Sequence, residues 1–230
     1  MFVSAVVPAA GSGLRLGEPI PKPLVSLDKK PIFIHTLKAL SQHPEIKEII
    51  MVVSQAARGT IERHLKKYGI KKVKQLVIGG VRRRDSVQNG LRCISRKADM
   101  VLVHDAVRPF IEINMISRLI KQAARSGAAI LGVPIKSTLK KITANKRVIR
   151  TLKREHFYEI QTPQVFKRDL LIRAYGKFPN VSAVDDSSLI ERLGNRVVVV
   201  LGSYSNIKIT TPEDLIFARA ILKNKGHAFS

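Results

Sequence analysis

The sequence predicts a single-domain α/β fold with a Rossmann-like, doubly wound and mostly parallel sheet and a projecting β-arm. Three observations predict it. Short runs rich in Val and Ile alternate with stretches whose apolar residues recur at helical spacing. A loop of small residues, Pro8-Ala9-Ala10-Gly11-Ser12-Gly13-Leu14-Arg15, directly follows the first run. The alternation then breaks at Pro134. A length of 230 residues suits one domain with a sheet covered on both faces. Hydrophobic and charged fractions of 45% and 25% exclude wholesale disorder.

Phe2–Val7 is a short Val-rich run, as expected of a strand buried on both faces. Ile32, Phe33, Leu37 and Leu40 recur at helical spacing within Pro31–His43, with Pro31 suited to a first helical turn. Ile49–Val53 reads as the second strand. Ile61, Leu65 and Tyr68 mark a helix, and Val73–Ile78 a third strand. Arg84–Ser95 reads as helix, Met100–His104 as strand, Asn114–Ser126 as helix with Gly127 near its end, and Ala128–Val133 as strand. This order predicts parallel pairing through right-handed crossovers.

Residues 135–160 hold polar alternation without a helical stripe and read as a β-hairpin arm. Helices near Arg168–Tyr175 and Asp185–Leu193 and the strand Val197–Leu201 follow. The last helix opens on Thr211-Pro212-Glu213-Asp214, a cap, an N1 proline and early carboxylates in order. Without an internal repeat or linker, residues 1–230 are expected to form one domain with its arm at about 135–160.

In such a sheet a ligand sits beyond the carboxyl ends of the strands. Small residues let backbone N–H groups approach phosphate oxygens. Arg15 and Lys22 add two cations, and Pro21 and Pro23 stiffen the chain around Lys22. Two commoner phosphate loops are excluded. A dinucleotide fingerprint needs a glycine where Leu16 stands and an acidic residue where Val53-Ser54-Gln55 ends the second strand. A P-loop needs Lys-Ser/Thr after its last glycine, and Gly17 is followed by Glu18.

The formal net charge of +24 raises the question of a nucleic-acid partner. Its distribution disfavours one. The densest patches are Lys66–Lys74 and Arg82–Arg84, neither interleaved with the aromatics of a stacking platform, and Trp is absent. A basic surface that attracts anionic substrates explains the charge as well. The single Cys93 cannot form an internal disulfide, and no Cys/His cluster offers a zinc site, so a reducing, cytoplasmic setting is expected. Phe2–Ala10 has no basic segment before it, which favours a buried strand over a signal peptide. No stretch reaches the roughly 20 apolar residues that cross a bilayer, so no membrane partner is expected.

The run Ala9-Ala10-Gly11, Gly13, Arg15, followed by Pro21-Lys22, resembles the signature loop of the sugar-nucleotide-type nucleotidyltransferases. Gly79-Gly80 with Arg83 and Asp85-Ser86, and His104-Asp105-Ala106-Val107-Arg108-Pro109, narrow the resemblance. So do Thr162-Pro163-Gln164, Asp185-Asp186 and Asn206-Ile207-Lys208-Ile209-Thr210. From first strand to last helix the chain is similar to the 2-C-methyl-D-erythritol 4-phosphate cytidylyltransferase family of non-mevalonate isoprenoid biosynthesis.

The resemblance implies attack of an acceptor phosphate oxygen on the α-phosphorus of CTP, with release of pyrophosphate. It implies catalytic roles for Arg15 and Lys22, and nucleotide binding by Ala9, Ala10, Gly11, Gly13, Gly80, Asp85, Ser86, Asp105 and Ala106. It implies acceptor binding by Arg108, Thr138, Arg154 and Lys208, with the arm reaching across a homodimer. Asp105, ending an apolar strand, could hold Mg²⁺, a hard cation that uses few protein carboxylates, or could cap a helix. His104 reads as a packed, hydrogen-bonded imidazole, and Asp185 and Asp186 could be early-helix carboxylates. Taken by itself, Arg154 on an exposed hairpin would be a solvated charge.

Val81 and Lys153 stand where many family members carry acidic residues. A ribitol 5-phosphate cytidylyltransferase is the nearest alternative, although Ser137-Thr138 and Ser187-Ser188-Leu189 lean toward methylerythritol phosphate. A non-catalytic, basic nucleic-acid-binding protein on the same fold is a remote one.

Overall fold

Alternate residues of the first strand enter two different cores, which is why the sheet is covered twice. The computed structural model describes residues 1–11, 20–179 and 181–227. In it β1 (Val3–Pro8) sends Val3, Ala5 and Val7 to one core and Val6 to the other. A short hairpin, β2 (Ser26–Leu27) and β3 (Lys30–Pro31), precedes α1 (Ile32–Gln42). Pro31 is therefore the extended residue before the helix rather than part of its first turn; it pairs with Ser26.

Next come β4 (Ile46–Val53), α2 (Arg58–Lys67), β5 (Val73–Ile78), α3 (Arg83–Leu91) and β6 (Met100–Val103). The helix expected over Arg84–Ser95 stops at Leu91, where the Arg92 and Cys93 N–H groups turn back to Gly90 O. Then α4 (Ile113–Ser126) ends at Gly127, whose φ of 86° gives the left-handed turn into β7 (Ala128–Pro134). The arm is β8 (Leu139–Ile142) paired antiparallel with β9 (Val148–Leu152).

The arm is shorter than the sequence suggests. Tyr158, Glu159 and Ile160 belong to β10 (Tyr158–Lys167), a main-sheet strand that sequence reasoning missed. Its Gln161-Thr162-Pro163-Gln164 stretch breaks the apolar pattern, and the register against β7 shifts there. After it come α5 (Arg168–Lys177), α6 (Ser187–Arg192), β11 (Val198–Leu201) and α7 (Pro212–His227). Asp214 accepts from the Thr210 and Thr211 N–H groups at the mouth of α7, as the expected cap requires.

The seven-stranded sheet runs β5-β4-β1-β6-β10-β7-β11. All pairings in it are parallel except those of β10, which lies antiparallel between β6 and β7. Phe33, Leu37, Ile61 and Met115 from α1, α2 and α4 cover one face. Val87, Leu171 and Leu189 from α3, α5 and α6 cover the other. Burying each such side chain contributes about 1.5–3 kcal/mol. The chain winds outward from β1 through β4 to β5 and then resumes at β6 on the other side. That reversal opens a crevice beyond the carboxyl ends of β1 and β6.

Candidate active site

A cavity of about 630 Å³ occupies this crevice. Ala9, Ala10 and Gly11 form one wall, because the Ala9 N–H stays bonded to Val52 O at 2.6 Å and carries the chain straight out of the sheet. Lys22 enters from a 3-10 turn at Lys22–Leu24, and its Nζ donates to Thr210 O at 3.2 Å.

The opposite wall is the end of β6. Asp105 is only 6% exposed, and its N–H donates to Thr162 Oγ1 at 3.1 Å. Arg83 Nε lies 3.1 Å from Oδ1, and Lys208 Nζ 2.7 Å from Oδ2. Burial pushes the carboxyl up, but Arg83, Lys208 and Arg108 outweigh it and hold Asp105 well below the usual carboxylate range. No helix begins at Asp105, so its carboxylate does not act as a cap; it lines the cavity.

Behind it, His104 is fully buried. Nδ1 shares a hydrogen bond with Thr162 Oγ1 at 3.0 Å, and Nε2 lies 3.1 Å from Arg108 O. Burial lowers its pKa to about 4, so the imidazole is neutral near pH 7. With both nitrogens engaged it is the packed histidine expected from sequence.

Three successive arginines serve three purposes. Arg82 grips Asp85 at 2.9 and 3.0 Å, and Asp85 accepts from the Arg82 N–H, closing the start of α3. Arg83 reaches both Asp105 and Asp186, the latter at 2.9 Å. Burial opposes its charge, yet these two carboxylates raise its pKa and keep it protonated. Arg84 turns away and donates to the carbonyls of Tyr175, Phe178 and Pro179, capping the end of α5.

The loop before α3 is packed against the first wall. A Cβ on Gly79 would stand 2.4 Å from Ala10 Cβ, and one on Gly80 2.4 Å from Asp85 Cβ. The Gly80 N–H donates to Ser86 Oγ at 3.1 Å.

Comparison with known proteins decides the family. The family model for 2-C-methyl-D-erythritol 4-phosphate cytidylyltransferase matches residues 3–224. This chain belongs to that family. A relative of that name from Alkaliphilus metalliredigens is 43% identical over 226 residues, covering 97% of this chain and 94% of the relative. The crystal structure of 4-diphosphocytidyl-2C-methyl-D-erythritol synthase from Anaerococcus prevotii superposes with a TM-score of 0.84 at 36% identity, covering 96% of this chain and 98% of that one. The enzyme of the family's name from Thermus thermophilus gives a TM-score of 0.80 at 30% identity over 97% and 100% of the two chains.

Against the roles the family resemblance implied, Ala9, Ala10, Gly11, Lys22, Gly80, Ser86, Asp105, Ala106 and Lys208 all line one cavity. Gly13 and Arg15 lie outside the described residues. Asp85 does not line the cavity; the side chain and N–H of Arg82 take its carboxylate. Nor does Arg108, expected at the acceptor. It is 7% exposed and donates inward to Asn206 O at 2.7 Å, which makes it a support for the Lys208 segment. Thr138 and Arg154 are exposed at the arm and stand apart from the cavity of their own chain.

Sequence reasoning missed the second layer. Asp186, read as an early-helix carboxylate, is 1% exposed and joins Arg83 to Tyr175 Oη, the latter at 2.5 Å. Burial and Asp186 push the Tyr175 phenol up, so it stays a donor. Asp185 does serve α6, accepting from the Ser188 N–H at 3.0 Å.

Proposed function

We propose that this chain transfers a cytidylyl group from CTP to 2-C-methyl-D-erythritol 4-phosphate, giving 4-diphosphocytidyl-2-C-methyl-D-erythritol and pyrophosphate on the way to isoprenoid precursors. The observation that carries this reading is the convergence of Lys22, Lys208 and Asp105 on one cavity in a chain of this family. The names of the relatives give methylerythritol phosphate as their acceptor, which does not favour the ribitol alternative.

In the reaction, an acceptor phosphate oxygen attacks the α-phosphorus of CTP. The bond from that phosphorus to the oxygen bridging the β-phosphate breaks, and pyrophosphate leaves with the electron pair. The nucleophile is already anionic near neutral pH, so no general base is required; positioning and charge neutralisation supply the rate. Lys22 lines the cavity where the triphosphate would sit, and the Ala9-Ala10-Gly11 backbone would cradle the nucleotide; the family resemblance assigns Arg15 and Gly13 the same two tasks. The Gly80–Ser86 turn, held by the Gly80 N–H bond to Ser86 Oγ, lines the cavity where the cytosine would sit.

Asp105 would be the protein ligand for a Mg²⁺ ion, a hard cation that needs few protein carboxylates. Lys208 Nζ already marks a cation position 2.7 Å from Oδ2, and its side chain is 39% exposed and able to withdraw. When bound, the ion neutralises charge on the triphosphate. Among the described residues no group of three His, Cys, Asp or Glu offers a more elaborate metal site.

Lys208 then holds the acceptor phosphate from the main body. Thr138 and Arg154 complete the grip from the arm of a second copy, in a homodimer. No helix among the described residues is long and apolar enough to cross a membrane, and a reducing cytoplasm suits the free Cys93.

Phosphorus NMR of the chain with CTP, methylerythritol phosphate and Mg²⁺ tests the reading. The expected products are a cytidine diphosphoryl ester and pyrophosphate in equal amounts. Intact CTP, or its hydrolysis to CMP, would overturn it.

A further inference from the structure

The root of the arm and the strand end that delivers Lys208 meet at one side chain. Tyr204 lies in the turn after β11 and is 46% exposed. Its Oη donates to Pro134 O, the last residue of β7 before the arm, at 2.6 Å. Lys136 Nζ stands over the same ring at 3.6 Å from the centroid, a cation–π contact. The Lys136 carbonyl in turn accepts from the Arg154 guanidinium. Tyr204 thus touches the end of β7 and the outgoing limb of the arm once each, and reaches the returning limb through Lys136.

The segment that carries Tyr204 is itself fixed to the site. Gly202 N–H donates to Gly132 O at 2.9 Å, and Gln161 Nε2 to Ser203 O at 2.9 Å. Asn206 donates to Thr162 O at 2.9 Å and receives Arg108 on its carbonyl. Two residues further on, Lys208 meets Asp105.

We propose that Tyr204 is a positioning residue for the acceptor phosphate, locking the exit angle of the arm to the segment that bears Lys208. This rests on the reading of Thr138 and Arg154 as acceptor-binding groups. An exposed aromatic that spends its hydroxyl on the last carbonyl before a projecting hairpin, and its face on the next cation, has little packing role. What it fixes is direction. In a two-fold dimer a small rotation at the root displaces the arm's functional groups by several times the shift at the root itself.

The test is steady-state kinetics of Tyr204→Phe, Tyr204→Leu and Lys136→Met, with Arg154→Ala as reference. Tyr204→Phe loses one hydrogen bond and should raise the KM for methylerythritol phosphate by about two- to tenfold. Tyr204→Leu loses the ring face as well and should exceed it, while the KM for CTP and the melting temperature stay within error. Lys136→Met should shift the same constant in the same direction. In the double variant with Arg154→Ala, the effect of Tyr204→Leu should largely vanish, since both act on one contact.

If Arg154→Ala raises the acceptor KM and Tyr204→Leu and Lys136→Met leave it unchanged, the inference fails alone. If Arg154→Ala also has no effect, the arm reading fails and takes the inference with it. Equal losses for both substrates in Tyr204→Leu, without the matching pattern in Tyr204→Phe, would identify a structural residue and overturn the proposal.

Discussion

Lys208 Nζ closes on Oδ2 of Asp105 at 2.7 Å, while Arg83 holds Oδ1 of the same carboxylate at 3.1 Å. The two cations come from opposite halves of the chain, so the carboxylate just beyond β6 is also a point at which those halves are tied together. Both cations are half-buried, and Arg83 is further held by Asp186 at 2.9 Å.

Asp105→Asn should change stability with a defined pH signature. The folded carboxyl sits below its unfolded value of about 4. Its contribution is therefore present in full above that pH and lost as pH falls through the folded value. The variant should lose about 2–4 kcal/mol near pH 7 because Arg83 keeps Asp186 but loses its second carboxylate, less than for a fully buried pair because Lys208 is half-exposed. Urea unfolding from pH 7 to 3 checks it: the deficit should shrink on the acid side. A constant deficit would contradict the assignment.

His104 works in the other window. Burial lowers its folded pKa to about 4, against about 6.5 when unfolded. Above pH 6.5 both states are neutral and nothing is lost. Between 6.5 and 4 the unfolded chain binds one more proton, so stability falls as pH drops. His104→Gln should flatten part of the fall in unfolding free energy between pH 7 and 5. His35, His43 and His64, also lowered by burial, contribute in the same direction. An unchanged slope in His104→Gln would show that the imidazole is not the neutral group described.

Gly80→Ala places a methyl 2.4 Å from Asp85 Cβ and forces the α3 start away from the cavity wall. The KM for CTP should rise about tenfold or more, with the acceptor KM little changed. Equal effects on both substrates would separate Gly80 from the nucleotide.

Lys22→Ala should lower kcat by about 10²–10³-fold without a matching loss of stability, and Arg154→Ala should act on the acceptor KM. If the arm crosses a dimer, mixing the two variants and allowing subunits to exchange should restore one intact site in each mixed dimer. Activity assayed at low acceptor concentration should then exceed that of either parent. No recovery after proven exchange would count against the crossing.

The parts of the fold legible in the sequence were those set by local period and composition. The buried strand Val3–Pro8 needed only its apolar run, the edge strand Val73–Ile78 its Val, Leu and Ile residues, and the α7 cap only Thr211 and Asp214. The hairpin was legible from the lost helical period after Pro134. Strand β10 was not, because its central polar residues satisfy partners elsewhere: Gln161 bonds Ser203, Thr162 bonds His104 and Asp105, and Gln164 bonds Asp185. The site shows the same division. Residues on the β1 loop and at the end of β6 followed from their place in a wound sheet. The links of Arg83 to Asp186, 103 positions away, and of Tyr204 to Pro134 are tertiary contacts that no local pattern encodes.

The most direct test of the central claim is pyrophosphate release, measured with each of the four nucleoside triphosphates against methylerythritol phosphate and ribitol 5-phosphate, with and without Mg²⁺. The account predicts turnover with CTP and methylerythritol phosphate in the presence of Mg²⁺, well above every other combination. Equal or greater turnover with ribitol 5-phosphate, or with a purine triphosphate, would contradict it.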